Sequence, residues 1–406
     1  MQVQNIRDVI SPKLLFRFWV RLHLSLLIFV SADGVRAVET EKATNQVSNP
    51  EAPKPLSAVL SAGKWREVEA SVDRALAWMA SQQSADGSFP SFPSGQPAVT
   101  SLCALAFLSR GHQPGFGPYG QHINRAIDFV VSCQMSNGLF SFQPPDPMHQ
   151  DKAASHGAVY NHAIAGLMLG EVYGHVTGQR SKDVKQAIEK ALQFTRELQI
   201  RPKEYATDKG GWRYLRLRGG SAAPDSDLLV TAWQLMFLRS ARNAEFRVPQ
   251  THIDEAMEFL RRCWDDPRGI FNYAVNGGET KYSRGVVGAG ILSLSMAGQH
   301  QTRMALTAGD WLLANPFRGF GQLVGGSDRF FYSAYYCSQA AAQLGGHYWE
   351  GIFPPIVTVL LKSQLPDGSW PPEPAMGDSV FGTAYTTGMA VLSLTPSYQL
   401  LPVYQR

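Results

Sequence analysis

The feature that most constrains this chain is a unit that repeats six times in one register. An apolar or small residue recurs at positions 0, +3, +4 and +7, which is one face of a helix. The spacing is met by Val72/Ala75/Leu76/Met79, Ile123/Ala126/Ile127/Val130, Ile253/Ala256/Met257/Leu260 and Phe353/Ile356/Val357/Leu360. Ile188/Ala191/Leu192 closes on Thr195, and Ala305/Ala308/Gly309/Leu312 fits with small residues. Five copies carry an aromatic at +6: Trp78, Phe129, Phe194, Phe259 and Trp311. Each helix then runs into a glycine followed by an aromatic, as in Gly87-Ser88-Phe89, Gly138-Leu139-Phe140, Gly210-Gly211-Trp212, Gly269-Ile270-Phe271 and Gly368-Ser369-Trp370. The fifth copy, around Gly319-Phe320-Gly321, is degenerate. Glycine at that place is a helix stop, because it takes a left-handed backbone without a steric cost.

The second half of every unit is apolar on more than one face: Val99 to Leu108, Tyr160 to Tyr173, Leu229 to Ala241, Val286 to Ala297, Tyr335 to Leu344 and Tyr385 to Leu394. A helix of that kind must be covered on most sides, whereas its amphipathic partner can face water. The pattern predicts an all-α, (α/α)6 toroid over residues 60–400, with six inner helices wrapped by six outer ones. Closing the ring supplies the neighbour that each terminal repeat lacks. With 44% hydrophobic residues in 406, the chain has material for that core.

Ahead of the repeats, Lys13 to Arg21 is basic and aromatic, Leu24 to Val30 is apolar, and Val35-Arg36-Ala37 offers small residues for cleavage. Residues 1–37 read as a signal peptide cut near Ala37, and 38–59 as a disordered linker poor in apolar residues. The apolar run is too short to span a bilayer, so no transmembrane segment is expected after cleavage. The expected location is the periplasm or the medium. Five Lys/Arg fall in the first 37 residues against two Asp, leaving 32 basic against 31 acidic residues in the rest. A near-neutral body gives no electrostatic basis for binding nucleic acid. Cys103, Cys133, Cys263 and Cys337 lie inside helical patterns with no metal-site spacing, and read as small core residues.

The repeated residues resemble the QW motif of squalene and oxidosqualene cyclases. Arg74-Ala75, Trp78-Met79, Gln83, Gly87 and Phe89 fit its offsets, as do Arg125-Ala126, Phe129-Val130, Gln134, Gly138 and Phe140. Lys190-Ala191, Phe194 and Gln199 fit ahead of an insertion that reaches Trp212, and Leu360, Gln364, Gly368 and Trp370 fit in the last copy. In the fourth, Trp264 replaces Gln before Gly269. Over residues 65–395 the chain is similar to the prenyltransferase and squalene oxidase repeat family of terpenoid cyclases and protein prenyltransferases. That resemblance implies the toroid, and it implies that Gln83, Gln134, Gln199 and Gln364 brace it.

Four constellations bear on chemistry. Asp225-Ser226-Asp227 precedes the inner helix that begins near Leu228. By resemblance to class II cyclases, Asp227 takes the place of the aspartate that protonates an alkene. Leu228 stands where the motif's last aspartate belongs, and Asp227 or Ser226 also suits a helix cap. Tyr160, Trp233, Tyr335, Tyr336 and Tyr385 on the inner helices either line a cavity or fill it. His156, Tyr160, Asn161 and His162 hold the residue types of a polysaccharide lyase, although neighbouring helix residues point about 100° apart. Arg213, Arg216 and Arg218 suit a phosphate or acidic saccharide at the ring mouth, or a solvated loop.

The zinc pattern of protein prenyltransferases is not matched. Tyr335 stands where an Asp would precede Cys337, and His347 follows a Gly-Gly pair. No metal and no cofactor are therefore expected. The reading is an exported cyclase-like toroid that binds a lipid, an isoprenoid or an extended polymer in its central cavity or mouth. The alternatives are an acid-initiated isoprenoid cyclase or isomerase using Asp227, and an exported polysaccharide lyase.

Overall fold

The computed structural model describes residues 55–146, 148, 152–215, 223–276, 281–325, 328–373 and 378–405. The expected signal segment and most of the linker, together with Arg216 and Arg218, lie outside the described residues.

Twelve helices follow one another among the described residues. The odd-numbered ones are α1 (Ala62–Gln82), α3 (Gly120–Ser132), α5 (Gly178–Ile200), α7 (Gln250–Arg262), α9 (Arg303–Ala314) and α11 (Gly346–Ser363). The even-numbered ones are α2 (Ala98–Ser109), α4 (Lys152–Val172), α6 (Leu228–Asn243), α8 (Arg284–Met296), α10 (Phe330–Leu344) and α12 (Gly382–Leu394). A hairpin of two short strands, β1 (Trp264–Asp265) and β2 (Ile270–Phe271), marks the repeat in which Trp264 replaces Gln.

Burial divides the two sets as the sequence pattern predicts. In α3 the buried positions form one stripe through Ile123, Ala126, Ile127 and Val130, whereas in α2 all residues from Ala98 to Ser109 are buried. The even helices pack in the order α2, α4, α6, α8, α10, α12 and back to α2, which closes the inner ring. Their register shows that they run parallel. Gly166 meets Phe237 and Gly170 meets Ser240 between α4 and α6, while Gly285 meets Ser333 and Gly288 meets Cys337 between α8 and α10. Side chains at these glycines would separate the helices. All six inner amino termini therefore open on one end of the ring, called the mouth here.

The outer layer is pinned by one repeated corner. Gln83 Nε2 donates to the carbonyls of Gly87 and His122, both at 2.9 Å. Gln134 does the same to Gly138 and Ala187, Gln199 to Gly210 and His252, and Gln364 to Gly368 and Ser71. Each Gln thus ties its own corner to the next outer helix, and Gln364 ties α11 back to α1. The glycines sit at φ between +90° and +95°, and a Cβ on them would overlap the carbonyls of Arg125, Lys190, Glu255 and Arg74 in turn. No other residue satisfies both conditions. Trp212 and Trp370 complete two corners by donating to Thr195 O and Leu360 O, each at 2.8 Å.

The last residues of the segment expected as a linker take up regular structure. Leu56–Val59 is a 3-10 turn held on α11, where Leu56 O accepts from Trp349 Nε1 at 2.8 Å. At the other end the chain stays ordered past residue 400. Its two 3-10 turns, Pro396–Tyr398 and Pro402–Tyr404, cross the carboxyl ends of the inner helices. Asn243 of α6 donates to Pro402 O, Gln343 of α10 donates to Tyr404 O, and Val403 N donates to Glu171 of α4. The end of the ring away from the mouth is closed by this tail. All four cysteines are buried and free.

Candidate functional site at the ring mouth

The axis of the ring is filled. Trp233 of α6 stacks on Tyr335 of α10 at 5.4 Å and 6°, and Tyr336 packs edge-on against both. Tyr335 in turn hydrogen-bonds the hydroxyl of Tyr404 in the tail. Trp233, Tyr335 and Tyr336 are each 1% exposed or less. Trp233 and Tyr336, read as either lining a cavity or filling it, pack against each other across the axis and not at the mouth. His162 is also not brought to the mouth. It points into the outer layer, where Nε2 meets Thr195 Oγ1 at 2.9 Å and Phe140, Phe194 and Phe237 surround it. Burial pushes its imidazole down to about 3, so it stays neutral.

Above that packed axis the mouth gathers half-buried aromatics from several repeats. Tyr160 comes from α4, Tyr214 from the loop before α6, Tyr273 from the loop before α8 and Tyr332 from α10. His156, on the solvent side, stacks on Tyr214 at 4.1 Å. Tyr214 and Tyr273 share a hydrogen bond between hydroxyls. Tyr332 accepts from Trp233 Nε1 at 3.0 Å and so connects the mouth to the filled axis. Tyr385 of α12 packs beside Phe381 and is 8% exposed.

Asp227 sits at the start of α6 with its side chain fully buried. One oxygen, Oδ1, caps the helix by accepting from Val230 N at 2.9 Å. The other, Oδ2, makes no hydrogen bond among the described residues and is ion-paired at 3.6 Å with Nη1 of Arg213, beyond hydrogen-bond reach. Arg213 itself lies over the rings of Tyr214 and Tyr273, at 4.5 and 5.4 Å from their centres. Burial pushes the carboxyl up to about 6, against the charge of Arg213, the amides of Val230 and Leu229 and the nearby Tyr273 hydroxyl. Oδ1 thus makes the helix cap, and Oδ2 is left beside Arg213.

The backbone around Asp227 is fixed by its neighbours: Asp227 N donates to Trp212 O, and Leu228 N donates to Tyr273 O. Asp225 turns away, its Oδ2 accepting from Glu204 N at 2.6 Å, and belongs to the loop's own framework. The described residues contain no group of three His, Cys, Asp or Glu able to hold a metal. Two grooves, of about 670 and 430 Å³, lie away from Asp227, one between α5 and the loop joining α6 to α7, the other among α6, α7 and α8.

The sequence analysis did not single out Tyr214, Tyr273 or Tyr332. A signal existed for two of them. Tyr214 and Tyr273 each stand two residues after the corner aromatic of their repeats, Trp212 and Phe271.

No family model and no curated protein matches the chain. Solved structures do. The type II terpene cyclase MstE from Scytonema, as a variant in complex with geranylgeranyl dihydroxybenzoate, matches with a TM-score of 0.54 and 14% identity, covering 84% of this chain and 100% of that one. An inactive variant of the α-1,6-mannanase GH76A of Salegentibacter sp. HEL1_6, in complex with α-1,6-mannotriose, matches with a TM-score of 0.54 and 10% identity, covering 82% and 99%. The α-mannanase BT2949 of Bacteroides thetaiotaomicron gives 0.52 and 8%, covering 82% and 96%. Among the described residues no helix is long and apolar enough to cross a membrane. At these identities the likeness is one of fold: the chain is an α/α toroid similar to those of a terpene cyclase and of mannanases.

Proposed function

We propose that the protein takes an extended saccharide across the mouth of the ring and exchanges a proton with it through Asp227. The observation that carries this reading is the buried carboxyl, which spends one oxygen on its helix and keeps the other beside Arg213 beneath a wall of tyrosines. An acid held near 6 passes between its two forms close to neutrality, as general acid–base work requires. Half-buried phenols offer a flat face and a hydroxyl on the same group, which suits a sugar ring with its apolar face and polar edge. The filled axis favours a ligand laid across the opening over one enclosed within the ring. A mannanase bound to mannotriose shares the fold and agrees with the reading. Action outside the cytoplasm, with the amino-terminal segment as the export signal, is part of the proposal.

Protonation of an isoprenoid by Asp227 is the second reading. It is favoured by the place of the acid at an inner-helix start and by the MstE likeness. It needs an apolar, water-free hollow, whereas this mouth is walled by hydroxyls and guanidinium. The two separate in one experiment, in which the full chain is offered a panel of immobilised oligosaccharides and, in parallel, geranylgeraniol. Binding of a saccharide, with turnover falling at least 100-fold in Asp227→Asn, is expected. Binding and cyclisation of the isoprenoid with no saccharide retained would overturn the proposal.

A further inference from the structure

A second carboxyl is buried without a hydrogen bond across the ring from Asp227. α6 and α12 stand three places apart in a closed ring of six inner helices, so their amino termini face each other. Asp378 opens the 3-10 turn Asp378–Val380 just ahead of α12. Its side chain is 1% exposed, and neither oxygen has a hydrogen bond among the described residues. Among the described residues its ion-pair partner is Arg329, with Nη1 at 3.9 Å.

Arg329 stands at the start of α10 with 44% of its side chain exposed. Its charge acts on Tyr332 and Tyr385, and also on Tyr214 from the Asp227 side of the opening. The guanidinium therefore belongs to the mouth. Two arginines, Arg213 and Arg329, thus lean over one opening, each on a buried carboxyl that it does not grip. A guanidinium has five donors in a fork that fits a carboxylate, and a single contact near 4 Å leaves that fork open. The positive ends of the parallel inner helices point the same way.

We infer that Arg329, seated on Asp378, is a binding station for the carboxylate of an acidic saccharide, so that the ligand of this mouth contains uronate. The inference rests on the saccharide reading above and specifies its chemical class. Asp378 acts as a positioning residue. It is faced by Arg329 from α10, by Glu373 from the preceding loop and by Tyr385 from α12. Burial, aided by Glu373 and opposed by Arg329, pushes its carboxyl up to about 6. Protonation of Asp378 leaves Arg329 uncompensated, so acidic ligands are held more tightly as pH falls from 7.5 to 5.5, a range in which a sugar carboxylate remains charged.

The test is calorimetry on the full chain with trigalacturonate and, as the neutral counterpart, maltotriose. At pH 6 the acidic trisaccharide is expected to bind at least tenfold more tightly. Arg329→Gln removes that preference, and Arg329→Lys restores part of it. Asp378→Asn strengthens acidic binding several-fold at pH 7.5 and flattens its pH dependence, which a merely structural carboxylate would not do. Each variant is first checked for the wild-type melting transition. Equal binding of the two sugars, a preference that survives Arg329→Gln, or weaker acidic binding in folded Asp378→Asn overturns the inference and leaves the saccharide reading standing. Binding of neither sugar overturns both.

Discussion

The two ends of the inner ring each bury an acid, and they treat it differently. At the tail end, Glu171 accepts at one oxygen from Ser240 Oγ at 2.5 Å and at the other from Val403 N at 3.3 Å. At the mouth, Asp227 accepts at one oxygen from Val230 N and leaves the other without a hydrogen bond among the described residues. Burial raises both, Glu171 to about 7 and Asp227 to about 6. Burial alone therefore does not set the two acids apart. Their partners do: Glu171 has a hydrogen bond at each oxygen, whereas Asp227 keeps one oxygen beside Arg213 alone.

If the tail end is structural, breaking it must cost stability without touching the mouth. Tyr404→Ala, which removes a ring that closes the axis under Tyr335, is expected to cost roughly 3–5 kcal/mol. A urea titration measures this, and saccharide binding in the surviving folded fraction should be unchanged. Binding lost in proportion to stability would mean that the two ends act as one.

The Glu171 carboxyl sharpens the same contrast through pH. Its folded value lies above its ordinary 4.5, so the native state holds a proton that the unfolded chain releases. Stability is then greatest below the ordinary value and declines as pH rises toward about 7, by about 3 kcal/mol in all. Asp227 acts with the same sign between its ordinary 3.8 and about 6. Glu171→Gln should flatten the upper part of the profile and Asp227→Asn the lower part. A melting temperature independent of pH from 4 to 8 in the wild type would contradict both.

The outer corners supply a smaller effect and a control that belongs to neither end. Gln364→Ala removes the two bonds that tie α11 to α1 and is expected to cost roughly 1–3 kcal/mol. The seam between the last repeat and the first should then show faster amide exchange. Smallest of all is the loss of stability in Asp227→Asn. Asparagine caps a helix about as well as aspartate and carries no charge to bury, so chemical denaturation at neutral pH should show no loss beyond about 1 kcal/mol, and any larger change should be a gain. A large loss of stability there would return Asp227 to a purely structural role.

Much of the architecture was legible because it is written in periodicity. The 0, +3, +4, +7 stripe marked every outer helix, and the near-continuous apolar runs marked every inner one. The boundaries were less legible. Helix α4 begins at Lys152 and not near Tyr160, because the apolar pattern weakens toward the mouth, where residues such as His156 face solvent. The tail beyond residue 400 gave no periodic signal, since its order comes from Glu171, Gln343 and Asn243 on three different helices.

The candidate site was legible only in part. Asp227, Tyr160 and Arg213 were visible as residue types beside an inner-helix start. His162 and Trp233 looked equally suited, yet one faces the outer layer and the other fills the axis.

What the sequence determined by itself was the ring, because a repeat that cannot bury its own face dictates its neighbour wherever it recurs. The tertiary structure decided which polar groups meet. Arg213 and Asp227 lie 14 positions apart, Arg329 and Asp378 lie 49 apart, and only the closed circle brings the two pairs to one opening. Helical spacing fixes how a side chain points relative to its own helix. It says nothing of what the next helix places in front of it.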